Sequence, residues 1–375
     1  MDEANAATHA EIAPTEAPSR HFLTVPRYVP VVFLWLSVAG AVGLVLLYKL
    51  FSDRFLFGEV LAVWPAYLWG IPLVALTLPT INVRRPRRFL IALGSVVLAV
   101  MFTSEWRSVL RRPDRSHAAE FAALREQPSE DAALRILIWN VADYMSNKSE
   151  VLKTMAEYDP DLCLLQETGD GDGSFLPEDL VGPWEGFHWI DAGDEGVLSR
   201  HPIATLPTAA AEDHLGVQTV TLALPNGRDI AVANVHLSMP AIVWNLFTRG
   251  GPDFEQIRQW RSERFSQYAS LADTVDRLRA GGEHDAILAA GDFNVPGDLH
   301  SLRPIRERLS DVWPNCGVGW SATMTDANPM ARIDHCWVSE EFTPIVARVH
   351  ETGVSDHRLL VVDLTLRNVS PVPNP

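Results

Sequence analysis

The chain predicts a layered α/β domain with a β-sandwich core and helices outside, preceded by about three membrane-crossing helices. Three observations carry this. Its 375 residues hold three long apolar stretches, all within the first 130. From Leu134 onward the pattern changes to short apolar runs bounded by turn residues, the signature of strands. Helical patterns lie between those runs, which points to stacked α and β layers in one domain of about 240 residues.

Residues 1–28 are rich in Ala, Glu and Pro and read as a disordered tail. They lack the positive n-region of a signal peptide. The membrane region spans 29–103. Val29–Tyr48 is one bilayer's worth of helix without a charge. Val60–Leu78 (60–78) is a second run, in which Pro65 and Pro72 predict kinks. Phe89–Phe102 (89–103 with its flank) is shorter and needs help from its neighbours to span. Buried soluble helices are the alternative for these runs, and the length criterion disfavours it. Trp35, Trp64, Trp69 and Trp106 include positions suited to interfacial anchoring. Arg84, Arg85, Arg87 and Arg88 crowd the loop before the third run, which assigns that loop to the cytoplasm and the following domain to the other side. Arg107, Arg111, Arg112 and Arg115 oppose that orientation.

Residues 104–131 read as a polar linker, with a helix around Ala118–Arg125. The domain proper covers 132–368, and 369–375 is a tail. Ile136–Trp139, Leu162–Leu165, Ile230–Val235, Ala286–Ala290, Ile333–Val338 and Leu359–Leu364 read as strands. Lys148–Glu157, Asp253–Arg279 and Asp298–Arg308 read as helices, the second ended by Gly281-Gly282. No solenoid-type repeat is visible.

Charge separates the halves. Residues 131–375 carry 18 Lys and Arg against 36 Asp and Glu, whereas residues 1–130 carry 13 against 11. So acidic a domain argues against a general grip on long nucleic acid, which depends on cations displacing counterions. A bound divalent metal can offset that objection. Three cysteines form no ligand cluster, and Cys163 reads as a small core residue.

Six segments end apolar runs with polar groups, in this order: Ile136-Leu137-Ile138-Trp139-Asn140, Leu164-Leu165-Gln166-Glu167, Ala233-Asn234-Val235-His236-Leu237, Gly291-Asp292-Phe293-Asn294, Arg332-Ile333-Asp334-His335 and Ser355-Asp356-His357. A scaffold that delivers carboxylates, amides and imidazoles to one cleft would look like this. Glu167, at a strand end, is the candidate ligand for a hard divalent cation such as Mg²⁺. A strand-end surface acid is the plain alternative. His357 is the candidate general acid/base, because imidazole titrates near neutrality.

These segments, with Gly196-Val197-Leu198-Ser199-Arg200-His201-Pro202-Ile203, resemble the endonuclease/exonuclease/phosphatase superfamily over about residues 134–366. That group includes pancreatic deoxyribonuclease, apurinic endonucleases, sphingomyelinases and inositol-polyphosphate phosphatases. The resemblance implies a four-layer α/β sandwich with its site at one edge of two sheets. It implies a Mg²⁺-dependent phosphoesterase, with Mn²⁺ or Ca²⁺ as alternative metals. Asn140, Glu167 and Asp356 would serve the metal, and Asp292 would orient the attacking water. Asn294 would donate to the phosphate, Asp334 would fix the tautomer of His357, and His236 would contact the scissile phosphate. For Asp292 and Asn294 the alternative is an Asx turn. For His236 it is a strand histidine capping a core polar group. His335 reads as structural and His201 as part of a turn.

Adjacent residues on a strand face opposite ways, so Asp356 and His357 can share a site only from a loop or bulge. Ala142 stands where apurinic endonucleases carry an Asp, and Asp143 is one residue off. That weakens a base-excision-repair reading. The expected function is a membrane-anchored phosphodiesterase, a nuclease among its forms. A lipid or inositol-phosphate phosphoesterase and a catalytically silent membrane receptor or scaffold are the alternatives. The expected partners are a phosphodiester substrate and the lipid bilayer. Arg258, Arg261 and Arg264 could line a phosphate-binding edge or form a solvated face with Glu255 and Glu263. The apolar segment Met239–Thr248 could be a lipid-contacting loop, a buried lid or a helix start.

Overall fold

The computed structural model describes residues 26, 28–81, 86–103, 105–126, 131–142, 147–169, 179–206, 216–240 and 253–367. The two tails, Arg84, Arg85, Asp143 and most of the Met239–Thr248 segment lie outside these residues.

The N-terminal part contains α1 (Val29–Leu46), α2 (Leu56–Ala62), α3 (Ala66–Thr77) and α4 (Pro86–Thr103). Val29–Phe51 and Pro86–Thr103 are each long and apolar enough to cross a membrane. The second apolar run is not one continuous helix. At Pro65 the chain turns by 87° between Leu56–Ala62 and Ala66–Thr80. Pro65 has no N–H to continue a helix and restrains the residue before it. The cost of that turn is offset by docking. Ala62 and Val63, at the end of α2, are buried in the same apolar cluster as Tyr268, Leu271 and Phe293 of the following domain.

The predicted linker is docked as well. It forms α5 (Trp106–Leu110) and α6 (Arg115–Glu126). Ser108 Oγ donates to Gly319 O at 2.9 Å, Arg111 donates to Gly317 O at 2.9 Å, and Phe121 is buried beneath the Arg135 guanidinium.

The domain has β1 (Ala132–Asn140), α7 (Lys148–Ala156), β2 (Leu162–Gln166), β3 (His188–Asp191), β4 (Glu195–Ser199), β5 (Ile203–Thr205), β6 (Val217–Ala223), β7 (Asp229–His236), α8 (Phe254–Gly281), β8 (Ala286–Asp292), β9 (Ser310–Asp311), β10 (Asp334–Val338), β11 (Phe342–His350) and β12 (Leu359–Leu366). All six predicted strands and the first two predicted helices are present. Asp298–Arg308 is instead a 3₁₀ turn followed by the short helix Arg303–Arg306. Asp253 caps α8 by accepting from Glu255 N and Gln256 N, and Gly282 ends it at φ 66°.

One sheet has the order β11-β12-β1-β2-β4-β3 and the other β5-β6-β7-β8-β10-β9. Each holds one parallel pair, β1–β2 and β7–β8. Parallel neighbours require a crossover, and α7 and α8 supply them. Alternation along β1 shows the layering: Leu134, Ile136 and Ile138 point between the sheets, while Leu137 and Trp139 pack outward toward Val151 and Met155 of α7. On the far side, Ile287 and Ala289 face Tyr268 and Leu271 of α8. The result is the expected four-layer α/β sandwich.

Arg261 and Arg264 of α8 follow neither sequence expectation. Arg264 is 1% exposed and is bonded to Glu59 of α2, itself 2% exposed. Arg261 donates to Glu59 at 2.6 Å and to Asp53 O. Asp53 also accepts from Ser301 N at 3.1 Å, and His300 N donates to Ser52 Oγ at 3.2 Å. The N-terminal helical segment is thus latched to the domain by a buried ion pair.

His335 is structural, as expected, and fully buried. Arg332 donates to its Nδ1 at 2.5 Å, so the ring proton sits on Nε2 and is donated to Val295 O at 2.8 Å. Burial, and then the Arg332 charge, push its pKa down to about 3. An unfolded imidazole titrates near 6.5. Between those values the unfolded state binds the extra proton, so stability is full above about pH 6.5 and falls with pH below it. Unfolding in detergent at pH 7.5 and 5.5 is expected to show about 1.4 kcal/mol more acid loss in the native protein than in His335→Gln. Equal losses would refute the assignment.

Candidate functional site

The sandwich gathers the polar strand ends at one edge. Parallel β1 and β2 end together, with Asn140 opposite Gln166, and β7 and β8 end with His236 opposite Asp292. Antiparallel β10 begins at that same edge, with Asp334 paired to Asp292. Register alone therefore brings together residues far apart in the chain. Gly291 is required here by close approach within the sheet. Its φ is 144°, and a Cβ would lie 2.0 Å from Val235 O.

Asn140 is fully buried and joins two acids. Its Nδ2 donates to Glu167 Oε1 at 2.7 Å and to Asp292 Oδ2 at 3.1 Å, while its Oδ1 accepts from Ala142 N at 2.9 Å. Glu167 and Asn294 adopt left-handed backbone conformations, φ 54° and 56°. Such residues cost on the order of 1–3 kcal/mol and concentrate at functional sites. Asn294 Nδ2 donates to Leu237 O at 2.8 Å and to Asp292 Oδ2 at 3.2 Å, and its backbone N–H donates to Asp292 Oδ1 at 2.7 Å. The Asx turn is thus real, and it aims Asp292 at the cleft.

His357 Nδ1 lies 3.0 Å from Asp334 Oδ2, and its Nε2 lies 3.8 Å from Asp292 Oδ2. Its backbone is fixed by Ser355, whose Oγ donates to Asn140 O and accepts from His357 N. The 355–357 segment is a bend, as the side-chain argument required. Even so, His357 turns inward, 4% exposed, and Asp356 turns out. Asp356 lies outside the carboxylate–imidazole groups that gather among the described residues, which are Glu167–His236–Asp292, Asp194–Glu195–His236 and Asp292–Asp334–His357.

His236 Nδ1 lies 2.6 Å from Asp194 Oδ2, and its Nε2 lies 3.6 Å from Glu167 Oε1. Asp194 was missed in the sequence. It sits in a Gly-Asp-Glu turn before β4 and carries no motif. Thr323 was missed too: its Oγ1 accepts from Asp334 N at 3.2 Å.

The electrostatics are those of crowded acids. Burial opposes charge on His357, but the fields of Asp334 and Asp292 and the Asp334 hydrogen bond outweigh it and raise its pKa to about 10. His236 is raised to about 9 against burial, by the Asp194 hydrogen bond and then by Asp292, Asp194 and Glu167. Burial, then repulsion from Asp334, raises Asp292. Burial and Asp194 lift Glu195 to about 7. Among the described residues, Asp334 Oδ1 is buried without a hydrogen-bond partner. The cleft holds more negative charge than its imidazoles balance, and carboxylate oxygens outnumber imidazole nitrogens among its potential ligand atoms. That is the donor set a hard divalent cation takes.

A two-sheet α/β sandwich carrying this set of acids, amides and imidazoles is a phosphoesterase scaffold. The chain belongs to the endonuclease/exonuclease/phosphatase family, whose model matches residues 137–357. No curated protein matches it. Solved structures similar to it include an endonuclease/exonuclease/phosphatase from Beutenbergia cavernae, 19% identical over 64% of this chain and 73% of that one, with a TM-score of 0.47. A Neisseria 3′ phosphatase bound to a product DNA hairpin is 21% identical over 61% and 98%, with a TM-score of 0.45. A Bacteroides thetaiotaomicron mannosyl-6-phosphatase is 18% identical over 62% and 99%, with a TM-score of 0.46.

Proposed function

We propose that this chain is a membrane-anchored, divalent-metal-dependent phosphoesterase that cleaves phosphodiester bonds by in-line attack of an activated water. The observation that carries the reading is the convergence of Asn140, Glu167, Asp292, Asp334 and His357 at one sheet edge. Glu167 would hold the cation, with Asn140 keeping Glu167 and Asp292 in register. Mg²⁺ suits these oxygen donors, and Mn²⁺ or Ca²⁺ could replace it. The bound ion would neutralise charge on the phosphoryl oxygens. Asp356, the other expected ligand, is exposed and would have to act from the rim.

Asp292, aimed by Asn140 and Asn294, orients the water. Asn294 then exchanges its bond to Asp292 for a phosphoryl oxygen. His357, held by Asp334 on Nδ1, presents Nε2–H to the leaving oxygen as general acid. His236, charged through Asp194, contacts a second phosphoryl oxygen. The two long apolar helices anchor the chain, and the arginines before α4 favour a domain outside the cytoplasm. A reporter fused after Pro375 that is active only in the cytoplasm would overturn that placement.

The full chain in detergent, given Mg²⁺, is expected to hydrolyse at least one of bis(nitrophenyl) phosphate, supercoiled DNA, sphingomyelin or an inositol phosphate. Chelation is expected to reduce the rate by at least about 100-fold, since metal stabilisation is worth several kcal/mol, and added Mg²⁺ to restore it. Activity indifferent to chelation refutes the metal. Inactivity across the panel with Mg²⁺, Mn²⁺ and Ca²⁺ returns the silent-scaffold reading. Membrane proximity and the acidic domain favour a lipid or inositol-phosphate substrate over long nucleic acid.

A further inference from the structure

Where the membrane-proximal helices meet the domain they enclose a cavity of about 670 Å³. That falls within the range of small-ligand sites, about 300–1,000 Å³. One wall is the end of α4, where Leu98, Met101 and Phe102 are 68%, 49% and 64% exposed. An apolar lip of this kind, continuous with a membrane-crossing helix, opens to acyl chains rather than to water.

The rest of the lining offers hydrogen-bond donors. Arg107 lines the cavity and is exposed. Lys49 lies 3.9 Å from Asp298, at the limit of an ion pair, and 5.8 Å from the Phe102 ring centre. The acceptors are engaged: Glu105 is taken up by both guanidinium arms of Arg332, at 3.1 and 2.6 Å, and Asp298 faces Lys49.

We propose that this cavity binds a membrane phospholipid with an anionic headgroup. Its phosphate is met by Arg107 and Lys49, and its chain lies over Leu98, Met101 and Phe102. The inference rests on reading α1 and α4 as membrane-crossing. The site is separate from the catalytic cleft but one loop away from it. Met330 and Arg332 line the cavity, and Ala331 between them pairs with Met324, which bridges His357.

The test is native mass spectrometry of the delipidated full chain in detergent, with phosphatidylglycerol, phosphatidylcholine or inorganic phosphate added. One phosphatidylglycerol per chain is expected to be retained at least 5-fold better than phosphatidylcholine. Arg107→Gln with Lys49→Gln is expected to weaken retention at least 5-fold, and Met101→Trp to abolish it by filling the cavity. Equal retention of the two lipids, retention unchanged in both variants, or inorganic phosphate binding as well as the lipid would each overturn the proposal. Alkaline carbonate washing of membranes separates the two readings. A chain released by the wash refutes the membrane reading, whereas one that resists it yet binds no phosphatidylglycerol refutes the cavity alone.

Discussion

His357→Ala is expected to lower kcat by about 10²–10⁴, the usual contribution of a positioned proton donor, with KM little changed. The geometry sets this magnitude. His357 Nδ1 is committed to Asp334 at 3.0 Å, so Nε2 is left to face the cleft beside Asp292. Asp334→Asn is expected to act differently. Asp334 is the largest of the influences that raise His357. Without it the imidazole loses its proton at lower pH, and the alkaline fall in rate moves to lower pH with it. The sign follows from His357 acting as an acid: the active form is protonated, so activity declines as pH rises through its pKa. A rate profile on bis(nitrophenyl) phosphate at saturating Mg²⁺ checks both. Activity that survives His357→Ala, or an alkaline limb that moves upward in Asp334→Asn, would sink the assignment.

The reasons this site was legible in sequence are geometric. Asn140, His236 and Asp292 each close an apolar strand, and Glu167 follows one directly. In parallel pairs such ends fall together once the strands are in register. Alternation of the β1 side chains was equally readable, because its period belongs to the backbone. What could not be read depends on partners distant in the chain. Nothing near Asp194 predicts that it meets His236. Asp356 and His357 form one motif, but the bend that admits the imidazole turns its neighbour out. Arg261 and Arg264 looked like a solvated face because their local acids, Glu255 and Glu263, suit that spacing. Their true partner lies about 200 residues earlier, beside a run that reads as membrane. The same contact explains the second apolar run. Its beginning serves the domain, which leaves the segment after Pro65 to follow the other helices.

That buried pair supports the second large expectation. Glu59→Ala strands the Arg264 guanidinium, 1% exposed, without a carboxylate. Removing one member of a buried pair costs about 3–5 kcal/mol, because the remaining charge has neither water nor partner. Arg261 suffers less, since it is only partly buried and keeps Asp53 O as an acceptor. The double variant Glu59→Leu with Arg264→Met is expected to recover most of the loss, because apolar groups of similar volume replace the pair without a desolvation penalty. Chemical unfolding of the native chain, Glu59→Leu, Arg264→Met and the double variant in one detergent closes the cycle, and a coupling energy well above 1 kcal/mol is expected. Were Glu59→Ala no less stable than the native chain, α2 would not be docked on α8 in solution. A partial rescue carries further meaning. Ala62 and Val63 enter the apolar cluster directly beyond Glu59. If the double variant restores stability, that packing holds the N-terminal helical segment in place, and the ion pair serves to fix its register.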